Sequence, residues 1–563
     1  MRLNWILVSV FAVLSFGCSG ENQEESLNSA AMGFDSIKRL SSAQYNNSVQ
    51  DLFPTAELEA SIFPFELSVD GFDNNVAVNT ATPGLTDAYY RNAIRLSALV
   101  TEQIAEVLAC EEITQVCIED YLLGLANRAW RRDLDTEEQE RLLTDYRAWV
   151  AEYEIEGALQ LMISYLLMSP EFLYLPETGA GSVTVEGTNF VPLTSWEMAS
   201  RLSYFLWNTT PDAQLLSLAR EDKLRDRQVI ADQAWRMLAD AKAHQGVLNF
   251  YRQFLDLEAI GSNSLDFSVY LTDMDGDAGS DYLHQILQPA MRYEPEIFVL
   301  DEIFRGSGKL KGLLTSSKTY VTPATAQLYG VEISQSSTDA VQWQANFEAL
   351  GFEYDETFYG VQLNEQERAG VLTQLGFLHA HSKPVYPSPI LRGVFVKDRV
   401  LCFPAPPPPG DVPALDEMSN GQAPRTNRER YENHSTNPVC ASCHKSIDGI
   451  GFTFENYDSL GVFRTEDNGY AVDSTGEIIG TEDVDGPVAN AVELSRKLSQ
   501  SKTVHDCHTK QWFRYAFART EAPEDEGFLG GLGNGFWQAN GDIPELIVNI
   551  ASSFPFRHKR AAQ

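Results

Sequence analysis

Apolar residues recur every three or four positions along most of this chain, and that spacing predicts helices. Near the amino end, Tyr45, Val49 and Leu52 share one side of such a pattern, with Ser41 or Ser42 placed to cap it. The helical period returns over 88–108, 121–129 and 137–165. The last of these opens on the acidic turn Glu137-Glu138, with Asp133 or Asp135 as its cap. Thr194 or Ser195 predicts the start of a helix through Met198, Leu202 and Phe205, and 212–220, 226–241 and 244–255 follow. Residues 285–304 read as a helix interrupted near Pro295. Further helices are predicted over 369–380, 391–400, 488–498, 504–518 and 544–550. A period of two is confined to 177–191 and to 468–480, where Ser474-Thr475-Gly476 predicts a hairpin turn. Residues 55–82, 263–281 and 527–541 keep neither period and read as loops. Four consecutive prolines within 405–410 rule out regular hydrogen bonding and predict a strap. The expected fold class is predominantly α-helical and multi-module, with small β-hairpins.

At 563 residues the chain is long enough for several modules. Its 79 acidic against 42 basic residues, a formal charge of -37, repel nucleic-acid phosphates, so no nucleic-acid partner is expected. Arg2 followed by the apolar run 6–16 reads as an export signal, too short to span a membrane. Gly17 then precedes Cys18, an arrangement similar to a bacterial lipobox, so lipidation at Cys18 is expected. This implies a lipoprotein signal peptide over 1–17, a tether over 18–33, and a lipid-anchored protein at the periplasmic face or surface of the outer membrane. Plain cleavage, with Cys18 left as a thiol, is the alternative.

Export permits disulfides. Cys440 and Cys443 belong to one motif, Cys440-Ala441-Ser442-Cys443-His444, which leaves Cys110, Cys117, Cys402 and Cys507 as an even set. Pairing 110–117 with 402–507 is the first choice, and it requires a helix break between Cys110 and Cys117. Crossed pairings and free buried thiols are the alternatives. Cys-x-x-Cys-His is the spacing that attaches a c-type haem: two thiols add to the haem vinyl groups and the adjacent histidine reaches the iron. One covalent haem c at Cys440, Cys443 and His444 is therefore expected, made with c-type maturation machinery. Zinc would need His434 as a fourth ligand, and a thioredoxin-like motif would need a strand-helix pattern that is absent. No methionine follows Met418, so His381 leads as the second iron ligand, ahead of Met418, His505 and His508. Phe452, Phe454, Tyr457 and Phe463 are expected to pack a haem face. Glu455 and Asp458 are expected to bind backbone donors or Arg464, or to carry protons. Arg128, Arg131, Arg132, Arg201 and Arg392 could meet an anionic group or pair with neighbouring carboxylates. Asp273, Asp275 and Asp277 alternate in an acidic loop that could hold calcium, although His284 stands where an EF-hand needs an acid.

Several stretches carry a family resemblance. They are RLSSAQYNNSVQDLF with Gly71-Phe72-Asp73-Asn74, Arg128-Ala129-Trp130-Arg131-Arg132, SPEFLY, and ASRLSYFLWNTTPDAQLLSLA. GVLTQLGFLHAHS, the proline run, CASCHKSIDGIGFTFENYDSLG and QWFRYAFAR complete the set. Together the chain resembles the secreted, planctomycete-type multi-module haem proteins built from domains of unknown function (DUF1587, DUF1595, DUF1592, DUF1588 and DUF1585). Trp130, Asp133, Gly449 and Ala518 depart from the family's usual residues. The implied organisation is an amino-terminal helical module over 34–108, a helical module with the RAWRR element over 109–170, and a large helical module over 171–330. A proline-strap and CxxCH module with a c-type cytochrome-like haem-binding region covers 360–465, and a carboxy-terminal helical module covers 466–563. The resemblance implies no substrate. One attached haem and no second redox motif favour electron transfer to an unidentified redox partner. The alternatives are a haem-dependent oxidoreductase on a small molecule or polymer-derived product, and a surface binding protein with structural or sensory haem.

Overall fold

The computed structural model describes residues 37–108, 114–185, 188–262, 279, 281–334, 357–404, 425–436 and 438–560. Cys18, Cys110, the acidic positions Asp273, Asp275 and Asp277, the proline run and Met418 lie outside the described residues. Helices dominate, and the strands form small antiparallel sheets.

The first core is built by α1 (Ser42–Leu52), α2 (Pro83–Glu102), α3 (Gln115–Trp130) and α4 (Thr136–Met168). Each begins where a side chain satisfies an open backbone N–H: Ser41, Thr82, Thr114 and Asp135 all accept from the first turn. Tyr45, Val49 and Leu52 point inward as their spacing predicts. α2 starts five residues earlier than expected, because Thr82 caps and Pro83 suits the first helical position. Leu96, Ile118, Leu125, Met162 and Leu166 close one core across the expected module boundary at 108.

The second core contains α5 (Ser195–Leu206), α6 (Ala213–Arg220), α7 (Arg227–Leu238), α8 (Ala243–Phe254) and α9 (Gln288–Phe304). It continues through α10 (Leu375–Ala380) and α11 (Pro389–Phe395), and α12 (Asn427–Thr436) packs on α13 (Pro438–Gly451), which joins the core through Ile450. The last elements are α14 (Ala491–Leu498), α15 (Lys502–Phe517), α16 (Glu526–Gln538) and α17 (Ile543–Ala551). Phe205, Phe250, Phe298, Phe377, Phe454 and Trp512 belong to this single cluster, so three expected modules share one interior. Among the described residues no helix is long and apolar enough to cross a membrane.

β1 (Lys38–Arg39) pairs with β2 (Tyr174–Leu175), β3 (Val183–Val185) with β4 (Thr188–Pro192), and β5 (Lys318–Val321) with β6 (Tyr359–Gln362). β7 (Glu466–Asp467) pairs with β8 (Tyr470–Ala471), β9 (Gly476–Ile478) with β10 (Gly486–Val488), and β11 (His558–Arg560) adds to β4.

Three expectations are overturned. α9 runs through Pro295 without interruption. The single hairpin over 468–480 is instead two hairpins, the first turning at Asn468-Gly469, both with positive φ. Asn-Gly is the residue pair that a two-residue hairpin turn favours, and it outranks Ser474-Thr475-Gly476. Residues 527–541, expected as loop, lie mostly within α16. Its glycines each cost about 1 kcal/mol against alanine. Phe528, Leu532 and Phe536 nevertheless share one face, on which Phe528 meets Phe513 and Phe517, and Phe536 stacks on His508. Burial of that face outweighs the propensity.

Residues 69–76 lock the two cores together. Phe72 enters the second core, stacked on Phe250 at 5.5 Å and beside Tyr515 at 5.6 Å. Asn74 Nδ2 donates to the Tyr515 carbonyl at 2.9 Å, and Val76 N to the Ala518 carbonyl at 2.9 Å. Gly71 has φ +85°, and the Arg399 guanidinium, which donates to the Asp70 carbonyl, occupies the space a Cβ would need.

Candidate haem-attachment site

Positions 440, 443 and 444 all fall on α13, which Pro438 opens at a helix position where a missing N–H costs nothing. Two surfaces of α13 are seated backbone to backbone. A Cβ on Gly393 of α11 would overlap the Ile447 carbonyl, and one on Gly451 would overlap the Pro389 carbonyl. On the other side, a Cβ on Gly476 of β9 would overlap the Gly449 carbonyl. Close approach of this kind is open only to glycine. The side chains of Cys440 and Cys443 lie outside what is described. His444 is half-buried, and its Nδ1 is 3.1 Å from Oδ1 of Asp448, one turn on along α13 and itself buried. A turn of the same helix is tied to the preceding segment by Lys397 Nζ, which donates to Ser446 Oγ at 2.6 Å.

The surrounding polar groups serve mainly as fasteners. Arg392, fully buried, donates to the carbonyls of Leu378, Phe454, Tyr457 and Asp458 and to Ser382 Oγ. Burial holds its pKa down to about 10. Asp458 accepts from the backbone N–H groups of Leu460 and Val462, as expected. Glu455 accepts from Asn427 Nδ2 at 2.9 Å and faces Arg464 at 3.4 Å, and burial pushes its pKa up to about 7. It borders a groove of about 340 Å³ lined also by Arg425, Arg428, Asp467, Tyr470 and Asp473. The aromatic side chains expected on a haem face are committed to protein contacts. Phe454 and Tyr457 enter the second core, Phe463 packs on Tyr457, and Arg428 lies over the Phe452 ring.

The histidines expected near the iron are packed as core side chains. His381 ends α10 with Nδ1 at 2.9 Å from the Phe377 carbonyl, and its ring lies 4.5 Å from that of Phe377 and 4.7 Å from that of Phe395. Burial lowers its pKa to about 4. His508 accepts from Trp512 Nε1 at 3.2 Å and has Tyr251 Oη at 3.2 Å. His505 turns Nδ1 to the Ser501 carbonyl at 2.7 Å. Three of the other singled-out arginines also bind protein. Arg131 donates to the carbonyls of Ala129, Glu171, Phe172 and Tyr174, Arg132 forks onto Glu138, and Arg201 pairs with Glu177.

A disulfide joins Cys402, just beyond α11, to Cys507 on α15, with the Cα atoms 5.4 Å apart. Cys117 is also disulfide-bonded. Family models described as proteins of unknown function match five successive stretches: DUF1587 over 38–102, DUF1595 over 117–177, DUF1592 over 193–331, DUF1588 over 368–467 and DUF1585 over 485–556. The chain belongs to this five-module family. No curated protein and no solved structure matches it.

In the terms of that family, the DUF1588 module carries α10 to α13, and its disulfide reaches into the DUF1585 module. The DUF1587 and DUF1595 modules share the first core, while the other three share the second. The Gly-Phe-Asp-Asn element of the DUF1587 module is the plug at Phe72 described above. The donor set suits a c-type haem: two cysteine positions and a histidine follow one another on a single helix, and the histidine's Nδ1 faces Asp448 Oδ1. Among the described residues no group of three or more His, Cys, Asp or Glu side chains forms a metal cluster. Asp448 was passed over in the sequence. Its signal was plain once α13 is helical, since residue i+4 lies beside residue i.

Proposed function

We propose that this chain is a cell-envelope c-type haem protein that transfers electrons within a redox system. Cys440 and Cys443 carry the thioether bonds and His444 the iron. The observation that supports this best is the placing of Cys-x-x-Cys-His on one glycine-seated helix with the His444 ring held through Nδ1. Bound haem supplies reversible one-electron chemistry. The chain's own residues fix the attachment helix against α11 and β9, and would orient His444 for the iron. Electrons pass to an unidentified redox partner, and the anchor is a lipid on Cys18, which the substitution Cys18→Ser would release from the membrane fraction.

The test is expression with export in a host that matures c-type proteins. Intact mass should rise by one haem, and the colour should survive denaturation and vanish in Cys440→Ala/Cys443→Ala. A colourless, unmodified wild-type protein overturns the reading.

A second reading, a haem-dependent oxidoreductase, is favoured by the groove at Glu455, whose carboxyl can carry a proton near neutral pH. Carbon monoxide distinguishes the two. Ready binding to the reduced protein supports the oxidoreductase, and refusal supports electron transfer.

A further inference from the structure

Among the described histidines, His284 and His444 turn Nδ1 to a side chain four residues later, Gln288 Oε1 at 2.8 Å and Asp448 Oδ1 at 3.1 Å, and the partner of His444 is a carboxylate. His381, His505 and His558 turn Nδ1 to the backbone carbonyl four residues earlier, those of Phe377, Ser501 and Phe554, at 2.7–2.9 Å. His379 takes the Ser459 carbonyl. The carboxylate that His444 meets, Asp448, is 2 % exposed. Burying a carboxylate costs free energy that a carbonyl acceptor would avoid.

We infer that Asp448 is the positioning residue of the iron ligand His444, and that its charge lowers the reduction potential of the attached haem. This rests on the haem reading above. A hydrogen bond from Nδ1–H to Asp448 fixes the tautomer in which Nε2 carries the lone pair, and it fixes the rotation of the ring. A carboxylate also raises the basicity of the imidazole more than a neutral carbonyl does, because the negative charge draws the Nδ1 proton away from the ring. A more basic ligand, with a buried negative charge behind it, favours the ferric over the ferrous state. In an electron carrier this makes the ferrous haem a stronger reductant. In an oxidoreductase it would favour the higher oxidation states.

The experiment compares holoprotein of wild type, Asp448→Asn, Asp448→Ser and a control, Ser446→Ala, which loses the Lys397 contact on the same helix. Haem content is read by intact mass and the midpoint potential by optical redox titration. The expected result is a positive shift in both Asp448 variants of at least tenfold in the ferrous-to-ferric ratio, about 59 mV for a one-electron couple. Ser446→Ala stays at the wild-type potential. Variants that carry haem at the wild-type potential overturn the inference and leave the haem reading intact. Accumulation of Ser446→Ala but of neither Asp448 variant reduces Asp448 to a folding role and also overturns it. Wild type without haem overturns both.

Discussion

The Cβ that Gly451 lacks would overlap the carbonyl oxygen of Pro389. That contact brings the backbone of α13 against the start of α11, so the helix bearing Cys440, Cys443 and His444 has one seat and no slack. Gly451→Ala must push the two helices apart, and overpacking of this kind costs about 1–3 kcal/mol. A lower thermal midpoint with reduced haem content is expected. Gly124→Ala is the counterpart: nothing stands within 4 Å of its added Cβ on α3, so helix propensity alone raises stability by about 0.5–1 kcal/mol.

The bond between Cys402 and Cys507 spans 105 residues of sequence and encloses α12, α13 and the hairpins. In the chain-entropy account, closing a loop of about 100 residues restricts the unfolded state by about 4–5 kcal/mol. Cys402→Ala/Cys507→Ala should lower the denaturant midpoint by a loss of about 2–5 kcal/mol. The substitution is preferable to reductant, which would also open the disulfide at Cys117.

Glu294 sits at 0 % exposure on α9, where Thr319 Oγ1 donates to it at 2.7 Å and Tyr329 Oη at 2.5 Å. Burial pushes its pKa from 4.5 to about 7. The folded chain therefore holds this proton where the unfolded chain has lost it. Stability from this group is full below pH 4.5 and is lost as pH rises to 7, by a total on the order of 3 kcal/mol. Glu294→Gln keeps an accepting oxygen and removes the charge. Urea titrations should show a gain at pH 8, none at pH 4, and a shallower fall between. Glu455 and Asp73, both also raised to about 7, keep part of the slope.

Phe72 is 1 % exposed and rests on Phe250 and Tyr515, which belong to a different core from the helices that flank it in sequence. Phe72→Ala should cost about 3–5 kcal/mol and weaken the attachment of the first core to the second. Limited proteolysis is expected to cut near residues 69–76 in the variant and to spare the wild type.

Much of the helical framework was legible without coordinates because a helix start depends on residues within one turn of each other. Ser41 with Gln44, Asp135 with Glu138, and Thr194 with Glu197 form capping boxes that the chain announces locally. The membership in five modules and the positions of the Cys-x-x-Cys-His motif were legible for the same reason, since each is a short contiguous pattern. Distance along the chain hid the rest. α16 exists because its apolar face finds α15, which no propensity scale records. Arg392 spends its donors on carbonyls up to 66 residues away, so its role could not be told from that of an anion-binding arginine. His381 is a packed side chain because Phe395, from the next helix, lies against its ring. Burial and partner choice belong to the folded chain as a whole: desolvation fixes which charges survive, and backbone contact at Gly393, Gly451 and Gly476 fixes where α13 can lie.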